Sequence, residues 1–149
     1  MGFLSGKTAI ITGAGRAVLT DGSCGSIGYG IATAFAKEGA NLVITGRNVK
    51  KLEEAKAELE ANYGIRVLPV QADVCAGGDN EATVQNVVKQ AVDAFGSIQV
   101  LVNNAQASAS GVPLADHTTE QFDLAVYSGL YAAFYYMKAC YPYLAESKG

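Results

Sequence analysis

The sequence has little of the material from which metal centres, disulfide frameworks and nucleic-acid surfaces are built. Its 149 residues include one histidine, three cysteines and no tryptophan. Cys24, Cys75 and Cys140 are odd in number and far apart, so neither a disulfide framework nor a zinc site is expected, and a reducing cytoplasm fits best. A net charge of -3 argues against a nucleic-acid partner, which would require clustered basic residues.

Targeting signals and long apolar runs are also missing. The N-terminus has neither a signal-peptide pattern nor the serine or threonine at position 6 that myristoylation prefers. The longest apolar stretch, residues 124–137, is too short for a bilayer span and contains several tyrosines, so no membrane anchor is expected. With 50% hydrophobic and 17% charged residues, the chain is predicted to fold as one packed domain.

A strand, a turn and a helix near the N-terminus carry the main functional signal. Residues 8–11 are an apolar run, residues 12–15 form a glycine turn, and apolar residues at helical spacing predict a helix over about 26–38. The free N–H groups and positive dipole end of such a helix favour a pyrophosphate, which glycines let the backbone approach. These glycines are Gly13, Gly25 and Gly28. Because position 18 is valine, the G-x-G-x-x-G pattern fails, and a purely structural turn is the alternative.

Further strands and helices alternate along the chain, which predicts a parallel sheet. Three more apolar runs predict strands at residues 42–45, 67–70 and 100–102. Amphipathic patterns predict helices over about 49–63 and 81–95. The last helix should start with a capping box at Thr118 and continue past Tyr141, with Pro142 kinking or ending it.

The order of the strands follows from the right-handed crossovers. They predict the order 3-2-1-4, with the fourth strand at an edge. That strand, residues 100–102, is entirely apolar, as expected of a strand with neighbours on both sides. The predicted fold class is therefore α/β, a doubly wound parallel sheet of Rossmann type in three α/β/α layers. We expect residues 1–149 to form a single domain that is incomplete on its C-terminal side, the N-terminal portion of a longer one.

The last predicted helix is unusually rich in aromatic residues. They are Tyr127, Tyr131, Phe134, Tyr135, Tyr136 and Tyr141. Because they cover more than one face of the helix, some should be buried against a partner or a neighbouring element. We expect a homo-oligomer, a dimer or tetramer, through the Thr118–Tyr141 helix; stacking against a ligand is the alternative.

Four features together resemble the short-chain dehydrogenase/reductase family over essentially the whole chain. They are the amphipathic crossovers and three segments: the glycine loop ending in Ser26-Ile-Gly-Tyr-Gly-Ile-Ala32, the Asp73-Val74 pair, and Asn103-Asn104-Ala105. The resemblance implies that Asp73-Val74 contacts adenine and that Asn103-Asn104-Ala105 lines the adenosine side of a dinucleotide. The alternatives are that Asp73 is only a turn residue and that Asn103-Asn104 only ends a strand. The implied cofactor-binding residues are Gly13, Arg16, Ser26, Ile27, Gly28, Arg47, Asp73, Val74, Asn103 and Ala105.

The chain departs from the family pattern at four places. Residues 16–24 resemble an insertion in the glycine loop, which could fold over the phosphates and bring Arg16 to them. Ser26 stands where a glycine is usual, and the segment after it is similar to the enoyl-reductase branch. Gln106 replaces the glycine that usually ends Asn-Asn-Ala-Gly, and Gly129 aligns with the helix asparagine of the family's proton relay.

The charge after the second predicted strand indicates which cofactor is bound. An NAD site has an acidic residue there, which binds the ribose 2′-OH, whereas this chain has Gly46-Arg47-Asn48 followed by Lys50 and Lys51. Each cation in the first turn of a helix costs about 0.3–1 kcal/mol, a cost that a bound 2′-phosphate would offset. The sequence therefore predicts NADP rather than NAD, with a solvated helix start as the alternative.

The family's catalytic Tyr-x-x-x-Lys pattern does not occur in these 149 residues, because Tyr135-Tyr-Met-Lys138 is one residue short. The resemblance thus implies the cofactor-binding part of an NADP-dependent oxidoreductase that acts on a small carbonyl or alcohol substrate. No residue is assigned as catalytic or metal-binding, and the 149 residues alone are expected to be inactive. The alternatives are a non-catalytic dinucleotide-binding or assembly module and an enoyl-reductase-like member of the family.

Overall fold

The computed structural model describes residues 2–75 and 80–149 and contains a parallel sheet. Its strands are β1 (Thr8–Ile11), β2 (Asn41–Gly46), β3 (Val67–Gln71) and β4 (Val100–Val102). The strand order β3-β2-β1-β4 confirms the predicted order. Strand β4 lies at an edge, and its residues are half-buried.

Helices connect the strands at the predicted places. They are α1 (Ile27–Lys37), α2 (Val49–Tyr63), α3 (Asn80–Phe95), α4 (Thr119–Ala125) and α5 (Ala132–Ser147). The side chain of Asn48 caps α2 by accepting the N–H of Lys51 at 3.0 Å, and Gly64 ends the helix in the left-handed region at φ 65°. Thr118 and Gln121 form the predicted capping box of α4. Within the described ranges, no helix is long and apolar enough to cross a bilayer.

The last helical region differs from the single helix that the sequence predicted. A π-helical segment, Val126–Tyr131, separates α4 from α5. Of the two predicted effects of Pro142, kinking or ending the helix, the second is wrong, because α5 continues to Ser147. Proline removes one helical N–H, but packing on both sides of it holds the helix. Upstream Cys140 is fully buried, and downstream the Ser147 hydroxyl donates to the Ile98 carbonyl oxygen at 2.6 Å.

Two apolar cores lie on opposite faces of the sheet and confirm the three-layer arrangement. One face of β1 and β2 packs with α1 and α2. The other face packs with α3 and α5. Alternation along the strands explains this division, because Ile11 and Ile44 belong to the first core while Ile10 and Val43 belong to the second.

Helix α1 approaches the turn after β1 so closely that only glycine fits at the contact. A Cβ atom on Gly28 would overlap the carbonyl oxygen of Gly13 and lie 2.5 Å from Nδ2 of Asn104. Gly13 itself has a φ of +68°, which other residues rarely adopt. These two glycines therefore set the distance between the N-terminus of α1 and the carboxyl end of β1.

We expect Gly28→Ala to lower the free energy of unfolding by about 1–3 kcal/mol, because the added methyl group forces α1 away from the turn. The matched control is Gly30→Ala in the same helix, where the nearest atom to the new methyl group is Cys24 Sγ at 3.3 Å. The control should be neutral or stabilising by up to about 1 kcal/mol, since alanine favours helix. Urea unfolding followed by circular dichroism measures both. Equal midpoints would contradict the close-contact explanation.

Candidate functional site

A hydrogen-bond network joins the turn after β1 to the segment after β4. The hydroxyl oxygen of Thr12 accepts the backbone N–H groups of Asn104 and Ala105, both at 2.9 Å. In return, the Asn104 side-chain nitrogen donates to the carbonyl oxygens of Thr12 at 2.9 Å and Gly13 at 3.3 Å. We call these contacts the Thr12–Asn104 network. It holds the glycine turn against the end of the edge strand.

A second anchor fixes the same segment to the π-helical turn. The buried hydroxyl of Ser128 lies 2.9 Å from the backbone nitrogen of Ala107 and 3.1 Å from its carbonyl oxygen. It also lies 2.6 Å from the carbonyl oxygen of Leu124, one turn earlier in its own helix. Sequence reasoning missed Ser128, and the available signal was a serine among aromatic residues in an apolar helix. Residues 104–107 are therefore held at both ends.

The carboxyl ends of the strands surround a cavity of about 230 Å³, which we call the nucleotide cavity. Five of the ten predicted cofactor-binding residues line it: Gly13, Arg47, Asp73, Val74 and Ala105. Asn103 lines an adjoining cavity that shares several of its walls, among them Thr12, Ala105 and Gln106. Crevices at this end of a parallel sheet are where doubly wound folds bind ligands.

The other four predicted residues lie outside the lining of both cavities. Ser26 caps α1, and its hydroxyl accepts the N–H of Tyr29 at 3.4 Å. Gly28 lies buried behind Gly13, whereas the side chain of Ile27 is 76% exposed. These residues form the N-terminus of α1 beside the glycine turn. Their direct contact with a cofactor stays a prediction.

Arg16 binds a carboxylate of α2 in this structure. Its Nε lies 2.5 Å from Oε2 of Glu58, and this hydrogen bond raises the pKa of the guanidinium. The Arg16 backbone N–H also donates to the Lys51 carbonyl oxygen at 2.8 Å, which docks the loop on the first turns of α2. Residues 18 and 24 then pair as an antiparallel bridge, so the insertion is a short hairpin. The proposed contact of Arg16 with phosphates stays a prediction.

The electrostatics of the nucleotide cavity are dominated by one guanidinium and one carboxylate. Arg47 is exposed and has no ion-pair partner within residues 2–75 and 80–149. Asp73 accepts the N–H of Cys75 at 3.0 Å through one carboxylate oxygen. Burial raises the pKa of the Cys75 thiol, which keeps it neutral beside Asp73. Within the described residues, the Arg47 guanidinium is therefore not neutralised by a carboxylate.

Tyr136 is a wall of both cavities that sequence reasoning did not assign to the site. Its side chain is 2% exposed, and its hydroxyl lacks a hydrogen-bond partner of good geometry among the described residues. Burial raises the pKa of this phenol to about 12, while the nearby Thr45 side chain acts in the opposite direction. Tyr136 thus stays neutral and closes the cavity floor on the α5 side.

The two departures Gln106 and Gly129 lie against each other. A Cβ atom on Gly129 would lie 3.4 Å from Cγ of Gln106. Gln106 lines both cavities, and Gly129 lines the adjoining one. The side chain gained at position 106 therefore covers the surface left bare at position 129.

A doubly wound parallel sheet with a cavity at the carboxyl ends of its strands gives the chain a Rossmann-type fold. The family model for short chain dehydrogenases matches residues 7–149. The chain therefore belongs to the short-chain dehydrogenase family, as its motifs indicated.

Individual relatives agree with this assignment. A 12α-hydroxysteroid dehydrogenase of Clostridium sp. is 58% identical over 149 residues, which are 100% of this chain and 55% of that protein. L-sorbose reductase from Gluconobacter frateurii, solved with NADPH and L-sorbose, is 32% identical with a TM-score of 0.82, covering 99% of this chain and 50% of that one. An NAD+-bound xylitol dehydrogenase is 27% identical with a TM-score of 0.82, covering 97% and 50%. The chain spans about half the length of these relatives.

We expect Thr12→Val to lower the free energy of unfolding by about 2–4 kcal/mol, because it leaves the N–H groups of Asn104 and Ala105 without an acceptor. Thr33→Val is the matched control, since the Thr33 hydroxyl only donates to the Tyr29 carbonyl oxygen of its own helix. The control should change stability by about 0.5 kcal/mol or less. Urea unfolding compares the two, and a Thr12 variant as stable as the control would refute the role of the network.

Proposed function

We propose that the chain is the nucleotide-binding part of an NADP-dependent oxidoreductase that transfers hydride between the cofactor and an alcohol or carbonyl group of a small molecule. The observation that carries this proposal is the convergence of Gly13, Arg47 and Asp73 on one cavity. Family membership and the NADPH complex of L-sorbose reductase support it. When bound, the cofactor supplies the hydride chemistry.

The residues around the nucleotide cavity fit a dinucleotide phosphate. The turn at Gly13 and the N-terminus of α1 meet without intervening side chains, since a Cβ on Gly28 would fill that contact. Free N–H groups at this helix end suit a pyrophosphate. Asp73 and Val74 line the same cavity next to Arg47, where the resemblance places adenine.

The choice of NADP over NAD rests on the charges that follow β2. The first turn of α2 contains Lys50 and Lys51 and no acidic residue. Arg47 precedes this helix and has no carboxylate partner in the described ranges, so its guanidinium is available to a 2′-phosphate. The relative solved with NAD+ shows that both cofactors occur among related structures. These charges favour NADP in this chain.

We expect Arg47→Asp to weaken the binding of NADP+ by about tenfold or more, because it replaces a charge-assisted contact with repulsion of the 2′-phosphate. Affinity for NAD+ should stay the same or increase. Isothermal titration calorimetry with both nucleotides measures the ratio.

The control for Arg47→Asp is Lys7→Asp, which makes the same change of charge. Lys7 immediately precedes β1, at the amino end of the sheet, opposite the carboxyl ends that surround the cavity. This control should keep the wild-type preference. An Arg47→Asp variant that still prefers NADP+ would overturn the assignment of the 2′-phosphate site.

The substrate class that we propose first is a secondary alcohol or ketone on a ring system. The 58% identity to a 12α-hydroxysteroid dehydrogenase supports this class. No residue of this chain is proposed as the proton donor, since the family's Tyr-x-x-x-Lys pattern does not occur in it. We also propose a cytoplasmic location, which the three free cysteines support.

We further propose that the chain forms a homo-oligomer, a dimer or tetramer, through the outer face of its last helices. Leu130, Phe134, Met137 and Tyr141 recur at helical spacing, and each is more than half exposed. Lys138, which lies beside this stripe, is bonded to Glu81 at 2.7 Å, so its ammonium group already has a carboxylate partner. A second copy would cover the stripe with the same apolar surface.

We expect Phe134→Glu to shift the chain from an oligomer to a monomer, since it places a charge at the centre of the stripe. Leu114→Glu is the control, because Leu114 is 90% exposed and lies outside the stripe. Size-exclusion chromatography with light scattering measures the mass of each. A monomeric wild-type protein would contradict the proposed assembly.

A further inference from the structure

The side chain of Gln106 lies at the border of the two cavities. Its neighbours Ala105 and Ala107 are fixed by hydrogen bonds to Thr12 and Ser128. The side-chain nitrogen of Gln106 donates to the Ala107 carbonyl oxygen at 3.1 Å. Within the described residues, the carboxamide oxygen has no hydrogen-bond partner. The free end of this side chain is therefore an acceptor.

The π-helical turn provides the surface on which Gln106 lies. Ser128 of this turn binds Ala107, and the next residue, Gly129, has no side chain to displace Gln106. A Cβ atom at Gly129 would already touch Cγ of Gln106 at 3.4 Å, so a longer side chain would compete for its place. Such π turns occur frequently at functional sites.

The strand order determines which part of a dinucleotide lies near Gln106. Arg47 follows β2, Gly13 follows β1, and Gln106 belongs to the segment after β4. Strand β1 lies between β2 and β4. A dinucleotide with its 2′-phosphate at Arg47 and its pyrophosphate at the Gly13 turn must continue toward β4. Its second nucleoside therefore lies on the side of the nucleotide cavity that Gln106 lines.

On the basis of the proposed function, we propose that Gln106 binds the second nucleoside of NADP, with its carboxamide oxygen accepting a hydrogen bond from a ribose hydroxyl. Position 106 would thus contribute a cofactor contact that a glycine in the same place cannot make. The bare surface of Gly129 makes this contact possible.

The test compares two ligands that differ by the second nucleoside. Wild type and Gln106→Ala are titrated by calorimetry with NADP+ and with adenosine 2′,5′-bisphosphate, which lacks that nucleoside. The variant should bind NADP+ about fivefold more weakly and the bisphosphate with unchanged affinity. Gln85→Ala is the matched control, since Gln85 is exposed on α3 and lines neither cavity. It should bind both ligands like wild type.

A second variant displaces Gln106 without removing it. Gly129→Asn places a side chain where Gln106 lies, so it should weaken NADP+ to about the same extent as Gln106→Ala. The double variant Gln106→Ala/Gly129→Asn should bind NADP+ no more weakly than either single variant. Such non-additivity is expected when both changes remove the same contact.

Three outcomes would overturn the inference. Unchanged NADP+ affinity in Gln106→Ala would show that the side chain makes no contact. An equal loss for both ligands would show that Gln106 only supports the loop. A wild-type chain that binds neither ligand would refute the proposed function itself, a result obtained before any variant is compared.

Discussion

The hydroxyl of Thr12 is the group on which the geometry of the nucleotide cavity depends. It is buried and accepts two backbone N–H groups, so its loss would leave both donors without their protein acceptor. The Asn104 side chain completes the network by returning to the turn at Gly13. These hydrogen bonds join the turn after β1 to the segment after β4, and both line the cavity. The distance between them is set by hydrogen bonds rather than by loose loop packing.

Around this network the polar groups are distributed along the direction of the strand order. Arg47 lies on the β2 side, the glycine turn lies in the centre, and Gln106 lies on the β4 side. This order suits a ligand that is anionic at the end near Arg47 and rich in hydroxyl groups at the end near Gln106. The parallel sheet produces the arrangement because the carboxyl ends of all its strands lie at the same end of the sheet. The proposed recognition of a dinucleotide therefore depends on the topology as well as on the residue types.

The region after β4 is irregular where the site requires it. In the π turn, Ser128 bonds to Ala107 and Gly129 lies against Gln106. Helix α5 then tolerates Pro142 because the buried Cys140 and the bonded Ser147 hold it on both sides. Packing against the second core stabilises a helix that propensity alone would end. Tertiary contacts thus support both departures from regular geometry.

Local chemistry in the sequence determined the strands, the caps and the candidate residues, because apolar runs such as 8–11 and a cap such as Asn48 act over a few neighbours. The strand order also followed, since crossovers have one hand. Only the tertiary structure decided that Arg16 binds Glu58, 42 residues away, and that five of ten candidates line one cavity while Ser26 does not. It also decided the π segment at 126–131. These features depend on contacts between distant parts of the chain, which no local pattern of residue types encodes.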